Sequence, residues 1–188
     1  MHFNQTYQHL SLVQCCATSY GGLMDKLPGD YVAGFIDGEG CFFLTYRKET
    51  KHTRPGNPIY YRWSVGFAMT LREDDVEILK QIRNTLECGN VYFLNTKDSR
   101  AGKQAYFGVQ NTDDAYNKVL PFFRKFPLRA KKRYDFELWS KALELIYRKK
   151  KDRKPYAAKD HSLLKEIRTQ MRTYKQKLDR EYRNSPIA

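Results

Sequence analysis

Leu27-Pro28-Gly29-Asp30-Tyr31-Val32-Ala33-Gly34-Phe35-Ile36-Asp37-Gly38-Glu39-Gly40-Cys41-Phe42 is the stretch whose reading decides the fold. It reads as a short apolar helix that ends among glycines and passes into a strand. Asp30, behind Pro28 and Gly29, is placed to cap the helix start. Ala33, Gly34 and Gly38 put small residues three to five positions apart, on or near one helical face, where another backbone could approach closely. Gly38 and Gly40 suit a helix end with a tight exit. Two carboxylates, Asp37 and Glu39, are thereby held at that end, beside whatever the helix packs against. A buried helix with a glycine cap would explain the small residues but not the carboxylates. The phosphate-cradling spacings G-x-G-x-x-G and G-x-x-x-x-G-K-[ST] do not occur.

Outward from this helix, Cys41 to Arg47 is rich in aromatic and β-branched residues and predicts a strand. Lys48 to Pro58, with Pro55, Gly56, Asn57 and Pro58, reads as a loop. Ile59 to Thr70 alternates, with Tyr61, Trp63, Val65, Phe67 and Met69 on one face and Tyr60, Arg62, Ser64, Gly66, Ala68 and Thr70 on the other. Val76, Ile78, Leu79, Ile82 and Leu86 have helical period, with Gly89 as the stop. Strands follow over Val91 to Thr96 and Gln104 to Asn111, around a turn at Ser99 to Gly102. Thr112 is placed to cap a helix carrying Ala115, Val119, Leu120 and Phe123. After Pro127 a long helix runs to about Tyr147 with Phe136, Trp139, Leu143 and Ile146 as its face. Arg148 to Pro155 reads as a basic linker. A last helix, about Ser162 to Tyr182, carries Leu164, Ile167, Met171, Tyr174 and Leu178.

The expected class is therefore α+β, in the order α-β-β-α-β-β-α with a C-terminal helix added. Its antiparallel sheet would be covered by helices on one side. Residues 1–25 form an extension, 26–147 a core, and 148–188 the basic linker and last helix. The uncovered sheet face would carry Arg47, Tyr60, Arg62, Ser64 and Gln104. Such a face is either plainly solvated or able to lie along a major groove and read base edges.

The net charge is +13, and from Arg124 to Ala188 there are 21 Lys and Arg against 8 Asp and Glu, so the whole excess sits in the last third. A pI near 9.6 with clustered cations is the footprint of a polyanion binder, nucleic acid first. No stretch approaches an apolar membrane span. The cysteines, Cys15, Cys16, Cys41 and Cys88, form no C-x-x-C, and His2, His9, His52 and His161 are scattered, which argues against zinc and a disulfide framework. The first 24 residues hold no Lys or Arg and do not read as a signal peptide, so an intracellular, reducing setting is expected.

Val32-Ala33-Gly34-Phe35-Ile36-Asp37-Gly38-Glu39-Gly40 closely resembles the signature of the LAGLIDADG homing endonucleases. The resemblance covers roughly Leu27 to Tyr147 and implies the family's α-β-β-α-β-β-α core with a curved sheet on DNA. It also implies that the motif helix packs against a second copy of itself through Ala33, Gly34, Asp37 and Gly38. Glu39 would bind a divalent metal, Mg²⁺ or another such as Mn²⁺, at the scissile phosphate, assisted by the Gly38 carbonyl. Carboxylate-bound Mg²⁺ can activate water, neutralise the phosphate and stabilise the leaving oxygen. Pro127-Leu128-Arg129-Ala130-Lys131-Lys132-Arg133 is similar to the family's Pro-Leu-x-x-x-Lys segment, which gives Lys132, with Lys131 close behind, as the basic residue facing the phosphate or water. The family's water-organising side chain falls near Thr70, Leu71 and Arg72; Leu71 departs from the pattern, leaving Thr70 or Arg72 to substitute. Asp37 either supports the active site or caps the helix end.

The motif occurs once in the chain, and by the resemblance single-motif chains act as homodimers on partly palindromic double-stranded DNA. The expected function is a sequence-specific double-strand endonuclease of the intron-encoded type. It would act with its host genome, in cytoplasm or nucleoid or in an organelle matrix. The alternative is an intron-RNA-binding maturase or a non-cleaving DNA binder of the same descent. Expected DNA contacts are Arg47, Lys48, Tyr60, Arg62, Ser64, Arg72, Gln104, Arg129, Lys149, Lys150 and Lys151. The linker would grip the backbone while Leu164, Ile167 and Met171 pack on the body.

Overall fold

The computed structural model describes residues 26–50, 53, 55–56, 58–94 and 103–184, with side chains as far as residue 172. The extension over 1–25, the turn at Ser99 to Gly102, and the packing of Tyr174 and Leu178 lie outside these residues. Helix α1 (Gly29–Glu39) runs directly into β1 (Gly40–Thr50). Its entry differs from expectation. Pro28 occupies the cap position without a side-chain bond, and Asp30 sits in the first turn, where its charge suits the helix dipole. At the exit Gly40 is extended, with φ −71° and ψ 157°. Glycine is required there by close approach, since a Cβ would lie 2.8 Å from the Ile36 carbonyl and 3.1 Å from the Phe67 ring.

Strands β1, β2 (Ile59–Arg72), β3 (Asn90–Leu94) and β4 (Gln104–Val109) form one antiparallel sheet in the order β1-β2-β4-β3. The register pairs Gly40 with Met69, Arg47 with Arg62 and Thr50 with Ile59, so Lys48–Thr50 belong to the strand rather than to the loop. Alternation along β2 sends Trp63, Val65, Phe67 and Met69 into the core. Among the described residues helices cover only that face: α1, α2 (Val76–Leu86), the run of α3 (Thr112–Asp114) and α4 (Leu120–Lys125), and α5 (Lys132–Lys151). Trp139 of α5 is fully buried, and its Nε1–H donates to the Gly66 carbonyl at 2.8 Å, pinning helix to sheet.

Two helix boundaries correct the expectation. Asn111, not Thr112, caps α3 (Thr112–Asp114), its side chain accepting from the Asp113 amide at 2.9 Å. The helical path continues through a π-turn over Ala115–Val119 into α4 (Leu120–Lys125). Pro121 lacks the N–H its turn would use, and the widened turn just before it accommodates the ring. Likewise α5 does not stop at Tyr147. Arg148–Lys151 are its final turn, where four cations complement the carbonyl end of the dipole. The exit is a Schellman turn, with Arg153 left-handed at φ 52° and the Lys154 amide reaching the Lys149 carbonyl at 3.1 Å.

The last helix, α6 (Ala158–Asn184), starts with Asp160 accepting from the Ala157 amide at 2.7 Å. Leu164, Ile167 and Met171 are buried in the same apolar cluster as the sheet and α5. His161 Nδ1 accepts from Trp63 Nε1–H at 3.1 Å, tying α6 to β2.

Candidate active site

The far end of α1 is built by a contact across more than ninety residues. The segment before α5 passes this end, and Asp37 Oδ2 accepts the backbone amides of Arg129 at 2.6 Å and Ala130 at 3.0 Å. Asp37 is thus a structural clasp: it fixes where α5 begins. Lys132, the first residue of α5, reaches back, and its Nζ donates to the carbonyls of Asp37 at 2.9 Å and Gly38 at 2.6 Å. An ammonium is well placed there, because the last carbonyls of a helix carry its negative pole. Glu39 is exposed beside these carbonyls. Glu39, Gly38 and Lys132 therefore come together, while Lys131 lies exposed one residue before α5.

Hard oxygen donors of this kind, a carboxylate and a carbonyl, suit Mg²⁺ or Ca²⁺ rather than a softer metal. They are too few for a cage. Among the described residues no three His, Cys, Asp or Glu side chains gather to hold an ion. Any ion here would draw its remaining ligands from substrate phosphate, water or another chain.

Among the described residues, one face of α1 has no neighbour in the chain. A Cβ at Gly34 or Gly38 would meet nothing within 4 Å, and Tyr31, stacked on Phe35, is half exposed on the same helix. Ala33 does not belong to that face. It is buried against the chain's own core, because helical spacing places it with Val32 and Ile36. Asp37, similarly, has its bonded oxygen turned to its own Arg129 loop.

The uncovered sheet face carries Thr45, Arg47, Glu49, Tyr60, Arg62, Ser64, Thr70, Arg72, Tyr92, Gln104 and Tyr106, all of one parity in the register. Lys48 departs from expectation: it pairs with Tyr61 and so has the parity of the helix-covered face. Leu71 pairs with Ala105 on that covered side, whereas Thr70 and Arg72 share the open one. Several expected DNA contacts are held by carboxylates. Arg62 Nε donates to Glu49 at 2.5 Å, Arg72 pairs with Asp74 at 3.0 Å, and Lys150 pairs with Asp113 at 2.5 Å. Lys149 is largely buried and bonds Asp160 at 2.5 Å, so it locks α5 to α6 instead of facing outward. Arg129 and Lys151 are exposed.

Ending the strand at Arg47 leaves Glu49 out of the sequence expectations. Continuing the alternation two residues would have found it. The Tyr60 hydroxyl donates to it at 2.7 Å, and this bond, with the Arg62 guanidinium, holds its carboxyl below the usual range. The same bond raises the Tyr60 hydroxyl.

A sequence profile described as LAGLIDADG endonuclease matches residues 32–143, from the motif helix into α5. The chain belongs to this family. Among similar proteins, the probable intron-encoded endonuclease Cox1-I1b of Schizosaccharomyces pombe is 27% identical over 146 residues, covering 78% of this chain and 34% of that protein. The LAGLIDADG chain spans about a third or less of the length of the curated relatives it matches. The crystal structure of the homing endonuclease I-TnaI superposes with a TM-score of 0.60 at 24% identity, covering 82% of this chain and 98% of that one. I-SmaMI, bound to uncleaved DNA with calcium ions, gives 0.59 at 22%, covering 77% of this chain and 45% of that one. These likenesses carry the α+β fold, with its open antiparallel sheet, over to this LAGLIDADG chain.

Proposed function

We propose that this chain is one half of a metal-dependent, sequence-specific double-strand DNA endonuclease, and that two copies pair through α1 on a partly palindromic site. The observation that carries the reading is the cluster at the end of α1. Glu39 is exposed there beside the Gly38 carbonyl, and Lys132 Nζ is already bound to that carbonyl. Glu39 and the Gly38 carbonyl are the groups that would hold Mg²⁺ or Mn²⁺. Bound there, such an ion supplies Lewis acidity toward phosphate and lowers the pKa of a coordinated water. The rest of the work belongs to the chain. Lys132 places a positive charge at the phosphate, Asp37 keeps Lys132 in position through the Arg129–Ala130 amides, and Thr70 and Arg72 lie on the open face as candidate partners for water.

The bare glycine face of α1 supports pairing. Glycines at Gly34 and Gly38 cost helix stability, and nothing among the described residues requires them. A facing helix at close range would, and a second copy brings a second Glu39 for the second strand. DNA as substrate is supported by the net charge of +13 and by DNA-bound relatives of the same fold. Intron-encoded relatives support a setting within the compartment that holds the host genome. Among the described residues no helix is long and apolar enough to cross a membrane.

The test is incubation of the purified protein with DNA carrying the host gene's uninterrupted insertion site, with and without Mg²⁺. Wild type should cut both strands only with metal, and Glu39→Gln should bind that DNA without cutting it. Normal cleavage by the variant would overturn the assignment. Binding without cleavage by wild type would favour the non-cleaving or maturase reading.

A further inference from the structure

The open sheet face holds a carboxylate in a place where DNA would be expected to repel it. Glu49 stands at the far end of β1, on the same face as Arg47, Tyr60 and Arg62. An unneutralised carboxylate against a phosphate surface is unfavourable. Glu49 is neutralised within the sheet: the Tyr60 hydroxyl donates to Oε2 at 2.7 Å and Arg62 Nε to Oε1 at 2.5 Å. Its side chain is 24% exposed, against 58% for Arg62.

The geometry of the Arg62 bond matters. Glu49 uses the Nε edge of the guanidinium. The rest of the Arg62 side chain stays mostly exposed. A guanidinium held by Nε is oriented like a fork on a fixed handle, with its two terminal nitrogens left to donate. That fork matches the O6 and N7 acceptors of guanine in the major groove, the commonest specific contact made by arginine. Arg47 lies directly across from Arg62 and is turned along its own strand, its Nε donating to Thr45 Oγ1 at 3.2 Å.

We propose that Arg62 is a guanine-reading, specificity-determining residue, and that Glu49, with Tyr60 behind it, is the positioning residue that aims it. This rests on the proposed function, both its DNA binding and its pairing of two copies. The register also says where the base lies. Arg62 is opposite Arg47, seven residues along β1 from Gly40 at the end of α1. At about 3.3 Å per residue that is roughly 23 Å from the active end. With about 3.4 Å per base pair, the read G·C pair falls about seven base pairs from the cut in each half-site.

The experiment is selection of bound duplexes from a random-sequence DNA pool, with Ca²⁺ in place of Mg²⁺, using wild type, Arg62→Ala and Glu49→Gln. Thermal denaturation of each protein controls for folding, and cleavage of the insertion site by wild type is read in parallel. A bidentate guanine contact is worth roughly 5- to 150-fold in discrimination. Wild type should select guanine by that margin at one position per half-site. Arg62→Ala should lose the preference there and nowhere else, and Glu49→Gln should reduce it at the same position alone. Three results would overturn the proposal: a preference untouched by Arg62→Ala, one lost in Glu49→Gln but kept in Arg62→Ala, or a loss spread over all positions. Cleavage by wild type with no guanine preference would defeat this inference alone, whereas absence of any DNA binding would defeat the functional reading with it.

Discussion

Replacing Gly34 by Leu should move stability and assembly in opposite directions. Gly34 lies inside α1 with open space where its Cβ would be, so among the described residues an added Cβ meets no atom of its own chain. Glycine in a helix interior is about 0.8–1.0 kcal/mol worse than Ala, and Leu is close to Ala. The isolated fold should therefore gain about 0.8 kcal/mol, or about 2–3 °C in melting temperature for a domain of this size. Against a second copy the same side chain enters twice. At about 1–3 kcal/mol per overpacked residue, two copies weaken the dimer by about 2–6 kcal/mol, at least roughly 30-fold in Kd. Denaturation at a dilution where wild type is monomeric separates the terms, because association otherwise adds to apparent stability. Sedimentation then reports the dimer, and cleavage should fall with it. Gly40→Ala is the contrast: its Cβ would strike Ile36 and Phe67, so it should destabilise the monomer. A drop in the melting temperature of monomeric Gly34→Leu, or an unchanged dimer, would refute the reasoning.

Arg148 and Lys151 are exposed on the last turn of α5, and among the described residues neither has a carboxylate partner, so the Arg148→Gln, Lys151→Gln double variant should flatten the salt dependence of DNA binding. If each contacts one phosphate, the log–log slope falls by about 1.8 while base preference stays the same; an unchanged slope would show that the turn does not touch DNA. Asp160 is held below the usual carboxylate range by Lys149 beside it and by the Ala157 amide, so its stabilisation is present above about pH 4 and is lost as pH falls through the lowered value. Asp160→Asn should be less stable at neutral pH and lose less on acidification, as followed by thermal denaturation from pH 7 to 3. Burial pushes the Cys88 thiol up to about 12, whereas Cys41 is exposed. At pH 8 an alkylating reagent should label Cys41 in the native protein and Cys88 only on unfolding, with peptide mapping as the readout.

The parts legible in the sequence are those set by local pattern. The alternation of Trp63, Val65, Phe67 and Met69 specifies which side of β2 meets the helices, and Trp139, Leu143 and Ile146 do the same for α5. Boundaries differ where a run of charge reads as loop. Arg148–Lys151 contains no helix breaker, and Lys and Arg are good helix formers, so the helix continues until the left-handed Arg153 and Pro155 end it. Lys48–Thr50 is polar because the β1–β2 hairpin extends past the core, which also hid Glu49. Ala33 was grouped with the glycines on size, although its spacing from Val32 and Ile36 turns it inward. The Asp37 clasp on Arg129 and Ala130, and the Lys132 bond to Gly38, join residues over ninety positions apart, and no local pattern encodes such a pairing.

The distribution of charge follows from the same packing. An excess of +13 in the last third looks like a tail laid on DNA, yet that third supplies α5 and α6, both built into the apolar cluster. Lys149 is spent on Asp160 in a largely buried pair, and freeing it would leave a buried carboxylate without its partner, which costs more than an exposed phosphate contact returns. Lys150 and Arg124 have exposed acidic partners, Asp113 and Glu144, that phosphate can replace at little cost. Such pairing leaves the long-range field of the net charge intact, so under the proposed function the helical third would steer DNA toward the molecule. Under the proposed function, base reading would fall to the uncovered sheet, where Arg47, Arg62 and Arg72 stand in rows at fixed strand spacing.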